Sequence, residues 1–172
     1  MRGHFETEHK WLIRMPDVRR LSREPGCIRW DIVQTYLASP NGVTERVRSI
    51  GQDGQTRYVH TVKRRVSVLT STEDERDLSP EEYAALLERA DPARRAVEKT
   101  RYRIPWKGRL LEIDIYPFWE DRAILEIEVD EESESVSWPE WLEVVREVTG
   151  DGRYRNARLA AAVPMDDISG DT

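Results

Sequence analysis

A chain of 172 residues, 38% hydrophobic and 35% charged, is sized for one globular domain around a single core. Its formal net charge of −6 makes it a poor general nucleic-acid binder, and no stretch approaches the roughly 18 apolar residues that cross a bilayer. Cys27 is the only cysteine, which excludes an intrachain disulfide and a cysteine zinc cluster; with no apolar signal run at the start, the expected compartment is the cytoplasm.

In chain order, period-two alternation predicts strands over 4–13, 28–38, 44–50, 57–65, 67–76, 96–104, 109–117 and 123–130. Pro40-Asn-Gly42 and Gly51-Gln-Asp-Gly54 read as hairpin connections, because Asn-Gly and Asp-Gly tolerate positive φ. Ser79-Pro80-Glu81-Glu82 opens a helix to about Ala90, with Ser79 as N-cap and Glu82 closing a capping box. Ser137-Trp138-Pro139-Glu140 predicts a second helix. Its apolar face would be Trp141, Leu142, Val145 and Val148, stopping at Gly150. No repeat or linker divides the chain. Residues 1–163 form one expected domain, and 164–172 read as a flexible C-terminal tail.

Side chains two apart in a strand share a face. Glu6, Glu8 and Lys10 therefore lie together, as do Arg46 with Arg48, Thr61 with Lys63 and Arg65, and Lys99 with Arg101 and Arg103. Glu112 and Asp114 oppose Leu111, Ile113 and Ile115, while Glu126 and Glu128 oppose Leu125, Ile127 and Val129. Any one such strand is ordinary, since polar-out alternation suits a half-exposed sheet. Six strands carrying Glu, Asp, Lys and Arg, rather than Ser, Thr and Gln, are not. Closing the sheet removes its edges and turns the charges into a lumen, which must then hold water, ions and a charged ligand. Paired carboxylates suit Mg²⁺ or Mn²⁺, and neighbouring Lys and Arg suit an elongated phosphate anion. Both together describe metal-assisted phosphoryl transfer.

The opening Phe5-Glu-Thr-Glu-His-Lys10 is similar to the ExExK signature of the CYTH, or triphosphate tunnel metalloenzyme, family. Arg46-Val-Arg48, Thr61-Val-Lys63, Lys99-Thr-Arg101, Leu111-Glu-Ile-Asp114 and Glu126-Ile-Glu128 resemble its later strand motifs in the family's order. The segment from Thr149 to Leu159 resembles the C-terminus of short bacterial members. This resemblance implies a mainly β fold: a closed eight-stranded antiparallel tunnel with covering helices. It implies metal ligands at Glu6, Glu8, Asp114, Glu126 and Glu128, with Glu112 as a helper. It implies phosphate contacts from Lys10, Arg46, Arg48, Lys63, Lys99 and Arg101, and catalytic roles for Glu6, Glu8 and Lys10. Ser71-Thr-Glu-Asp-Glu75 keeps the two acids of a family motif but has Ser71 where the family often has Arg, so a solvated strand or loop is favoured over a site role for Glu73 and Glu75. Tyr36 would orient a lysine or pack at the rim. Trp30, Trp106, Trp119 and Trp138 would pack or cap the barrel, with Trp106 or Trp119 nearest a mouth.

The implied activity is metal-dependent hydrolysis of inorganic triphosphate. A class IV adenylyl cyclase, a thiamine or nucleoside triphosphatase and a non-catalytic polyphosphate-binding module are the alternatives. The expected partner is a small-molecule triphosphate, with no nucleic acid or membrane. A homodimer is compatible with the resemblance, but no interface is legible.

Overall fold

The computed structural model describes residues 4–169. Nine strands form one antiparallel sheet: β1 (His4–Arg14), β2 (Ile28–Leu37), β3 (Val43–Gln52), β4 (Gln55–Arg65), β5 (Thr70–Leu78), β6 (Val97–Trp106), β7 (Arg109–Ile115), β8 (Arg122–Val129) and β9 (Val144–Glu147). The order is β5-β4-β3-β2-β6-β7-β8-β1-β9, and a β1–β5 pairing closes the first eight into a barrel. Three short helices are α1 (Val18–Arg23), α2 (Pro80–Leu87) and α3 (Asn156–Leu159). Among the described residues no helix is long and apolar enough to cross a membrane.

Local chemistry sets the connections. Asp53 and Gly54 both take positive φ (51° and 78°), as a two-residue turn between β3 and β4 requires. Ser79 caps α2 by accepting from the Glu82 amide, and the Glu82 carboxylate returns to the Ser79 amide. Outside the barrel, α2 covers Leu37, Val47 and Leu78. The apolar faces of β1, β6, β7 and β8 meet α1 and the 136–142 segment around Leu111, Ile113, Leu125 and Ile127.

The helix expected after Ser137 does not form. Val144–Glu147 adds to β1 as a ninth strand instead, pairing Trp11 with Glu147 and Leu12 with Arg146. Two forces favour this outcome: β-branched Val144 and Val145 suit a strand, and the β1 edge beyond β5 would otherwise leave backbone groups unpaired. The expected loose tail is also corrected through Ser169. Trp119 Nε1 donates to the Pro164 carbonyl at 2.9 Å, and Asp166 accepts from Arg146 and Arg153. Ile168 is buried in the core. Residues 170–172 of that expectation lie outside the described residues.

The lumen face is not charged along its whole length. Leu12, Tyr36, Val97, Tyr116 and Ile124 continue the parity of the charged positions, yet they pack with Tyr154, Leu159 and Ile168. The C-terminal segment therefore plugs one end of the barrel with an apolar core. At the other end Ile32, Ile50 and Val59 form a small apolar patch beneath Trp30.

Candidate active site

Between these apolar regions lies a cavity of about 500 Å³. Eight carboxylates and five Lys or Arg side chains line it. The register explains the convergence: Lys10 faces Glu126 and Glu8 faces Glu128 across β1–β8, while Arg101 faces Asp114 across β6–β7.

Arg101 is the hub of one wall. Its Nε donates to Asp114 Oδ1 at 2.7 Å and its Nη2 to Asp114 Oδ2 at 2.9 Å. The same guanidinium reaches Glu112 at 3.1 Å and Glu126 at 3.4 Å. A bidentate Arg–carboxylate pair of this kind fixes orientation as well as charge. Burial alone would raise Asp114, but Arg101 and Lys99 hold it below the usual carboxylate range. Lys99 Nζ sits 2.9 Å from Asp114 with both side chains fully buried. Burial pushes Lys99 down to about 8, against the attraction of Asp114. Neither residue lines the large cavity. In this arrangement Lys99 and Asp114 stand behind the wall and orient Arg101.

The opposite wall carries the basic pair of β3. Arg48 Nη2 donates to Glu75 at 3.0 Å, and Thr61 Oγ1 donates to the same oxygen at 3.3 Å. Burial and neighbouring Arg46 push Arg48 down to about 9. The Nε atoms of Arg46 and Arg48 are buried without a hydrogen-bond partner. Buried donors of this kind call for an acceptor that the protein itself does not supply.

Glu6 and Glu8 flank Lys63 Nζ at 3.7 and 3.8 Å. Burial, helped by Glu73, pushes Glu6 up to about 7; burial and the charge of Glu126 push Glu8 up to about 8. Burial and Glu6 also raise Glu128. Lys10 Nζ lies 3.4 Å from Glu126, whose carboxyl is held low against burial by Lys10, Arg101 and Lys99.

Among the described residues no three carboxylate, histidine or cysteine groups are already drawn into a metal cluster. The donor set nevertheless fits a hard divalent cation. Glu6 Oε2 and Glu126 Oε1 are buried without a hydrogen bond, with only a lysine ammonium at 3.7 and 3.4 Å, and burial and neighbouring carboxylates raise Glu6 and Glu8, a cost that a cation would relieve. Glu6, Glu8, Glu126 and Glu128 line the cavity and can turn to such an ion, whereas Asp114 is committed to Arg101 and Lys99.

Several lining residues were not expected. Glu73 and Glu75 face inward despite Ser71, because their parity on β5 follows Lys63 and Thr61 on β4. Trp30, rather than Trp106 or Trp119, stands at the mouth, with the Arg103 guanidinium 4.1 Å from its ring centre. Its parity with Gln34 and Tyr36 is the signal that could have placed it. Trp119 is buried beside Tyr116 and Tyr154. Tyr36 lies beside Arg46 across β2–β3. Asn156 reaches the lumen from the plug and accepts from Lys99 and from Tyr116. No strand periodicity could have indicated it.

No known protein-family profile and no curated protein matches this chain. Solved structures do match. The inorganic triphosphatase NE1496 is 28% identical, covers 93% of this chain and 97% of its own, and superposes with a TM-score of 0.57. A conserved hypothetical protein from Pyrococcus furiosus is 20% identical, with 74% and 80% of the two chains covered and a TM-score of 0.57. A putative adenylate cyclase from Vibrio parahaemolyticus is 16% identical over 77% and 80%, with a TM-score of 0.53. The last two share the fold.

Proposed function

We propose that this chain belongs to the CYTH, or triphosphate tunnel metalloenzyme, family and is a divalent-metal-dependent hydrolase of inorganic triphosphate; its strand motifs and its 28% identity to an inorganic triphosphatase of the same fold support that reading. The observation that carries the proposal is one cavity lined both by Arg46 and Arg48, whose buried Nε donors make no hydrogen bond, and by Glu6 and Glu126, whose buried Oε2 and Oε1, respectively, accept none and have only a lysine ammonium nearby. The donors suit phosphate oxygens; the acceptors suit a cation.

Arg46, Arg48 and Lys63 bind the anion along one wall, and Arg101 presents a fixed guanidinium on the other. Asp114 and Lys99 position Arg101. Lys10 keeps Glu126 ionised. Mg²⁺ or Mn²⁺ held by Glu6, Glu8, Glu126 and Glu128 would act as a Lewis acid on the phosphoryl oxygens. Water adds to a terminal phosphorus, the bridging P–O bond breaks, and pyrophosphate leaves. Glu6 or Glu8, in its ionised form, would accept the proton lost by that water.

The test is phosphate release from inorganic triphosphate, ATP, thiamine triphosphate and pyrophosphate by the purified chain and by Glu6→Gln and Glu126→Gln. Release from triphosphate that both substitutions abolish supports the proposal. Cyclic AMP from ATP without triphosphate hydrolysis would replace it with the cyclase. Binding without turnover would leave only a polyphosphate-binding module.

A further inference from the structure

Beside the main cavity lies a recess of about 90 Å³, several waters' worth of space. Glu8, Arg46, Lys63 and Asn156 line both, so the two spaces share a wall. Their charge differs sharply. The main cavity has an excess of carboxylates, whereas the recess sets Lys10, Arg46, Lys63, Arg65 and Arg155 against Glu8 alone.

The recess exists because β1 is shared along one edge. β5 pairs with β1 only from His4 to Thr7, and β9 takes the same edge from Trp11. Between them, at Glu8–Lys10, the wall has a gap bridged by the Glu8 amide to Leu69 and the Lys10 amide to Thr149. A smaller opening of about 40 Å³ passes through this gap, and Arg65 and Arg155 stand on its border. Arg155 comes from the turn before α3 and, among the described residues, forms no salt bridge; its Nε is buried without a hydrogen-bond partner there. Arg65 likewise forms no salt bridge among the described residues, and its Nη1 donates to the Val68 carbonyl at 3.2 Å. Burial and the nearby Arg155 charge both push Arg65 below the usual arginine range. Glu8 and Asp151 border the opening, but neither forms an ion pair with Arg65 or Arg155 among the described residues, so the two guanidinium groups repel each other unless an anion sits between them.

We propose that Arg65 and Arg155 form a subsite for the phosphate beyond the third, so that the preferred substrates are linear polyphosphates of four or more units. This rests on the triphosphate-binding role of the main cavity. The metal-bearing end of the chain lies among the carboxylates, and the metal-free end extends into the basic recess and toward the gap between β5 and β9. Asn156, shared by both spaces, joins the two subsites.

Equilibrium binding of linear tripolyphosphate and tetrapolyphosphate in EDTA, where no turnover occurs, tests the subsite. The wild-type chain binds tetrapolyphosphate about 10-fold more tightly, as one charge-assisted contact allows. Arg155→Gln and Arg65→Gln each remove most of that advantage and weaken tripolyphosphate by less than about 3-fold. Equal affinity of the wild-type chain for the two anions, or equal losses for both in the variants, would overturn the subsite and leave the triphosphate site standing. If the folded protein binds neither anion, the triphosphate reading fails and the subsite with it. Near-ultraviolet circular dichroism of each variant verifies that its fold is retained.

Discussion

Glu8→Gln is expected to stabilise the metal-free protein while abolishing its activity. Burial and Glu126 push the Glu8 carboxyl from 4.5 up to about 8. A carboxyl whose folded value lies above its unfolded value favours folding fully below the unfolded value. That contribution is lost as pH rises toward the folded value. The isolated cost of ionising Glu8 at pH 8 has an upper bound of roughly 4–5 kcal/mol. Lumen water screens that cost, and the glutamine forfeits attraction to Lys63 and Lys10, so the net gain is about 1–2 kcal/mol. For a chain of this size that is roughly 2–8 °C in Tm. The assay is thermal unfolding of both proteins at pH 5 and pH 8 in EDTA. The gain should appear at pH 8 and shrink toward zero at pH 5. Adding Mg²⁺ at pH 8 should raise the wild-type Tm more than that of the variant. A gain of the same size at both pH values, or a loss at pH 8, would refute the reasoning.

Arg101→Met leaves Asp114, Glu112 and Glu126 without their shared cation and should cost about 3–5 kcal/mol in urea unfolding at pH 7. Asp114 is held below its ordinary value, so its contribution is present above about pH 4 and lost as pH falls through the folded value; the deficit should narrow in acid. Ile168→Ala should lower stability by about 2–4 kcal/mol, because Ile168 is buried in the plug; a loose tail would show no change. Leu159→Ala should act on the same core by a similar amount, read by the same urea titration.

The strands and the site were legible for one physical reason: the pleat has a period of two, and acids and bases recur at that period on successive strands. The Arg101–Asp114 and Lys10–Glu126 pairs follow from that parity once neighbouring strands are known. Parity does not say how far a lumen extends. Leu12, Tyr36 and Ile124 share the charged face but belong to the plug, because the C-terminal segment folds back to cover them. The 137–150 segment carried a good helix-start signal, yet local propensity yielded to the unpaired edge of β1, which is a tertiary fact. Glu73 and Glu75 were discounted on Ser71, although their β5 parity placed them inward. Asn156 and Arg155 enter the lumen from a turn and a one-turn helix, where no periodicity exists to read.

The most direct measurement is phosphate release from inorganic triphosphate by the purified wild-type chain, with Mg²⁺ or Mn²⁺ and again with excess EDTA. The account predicts release that requires the metal, is abolished by EDTA and returns when the metal is restored. Undiminished release in EDTA would contradict the metal-dependent tunnel, and no release under any condition would contradict the hydrolase itself.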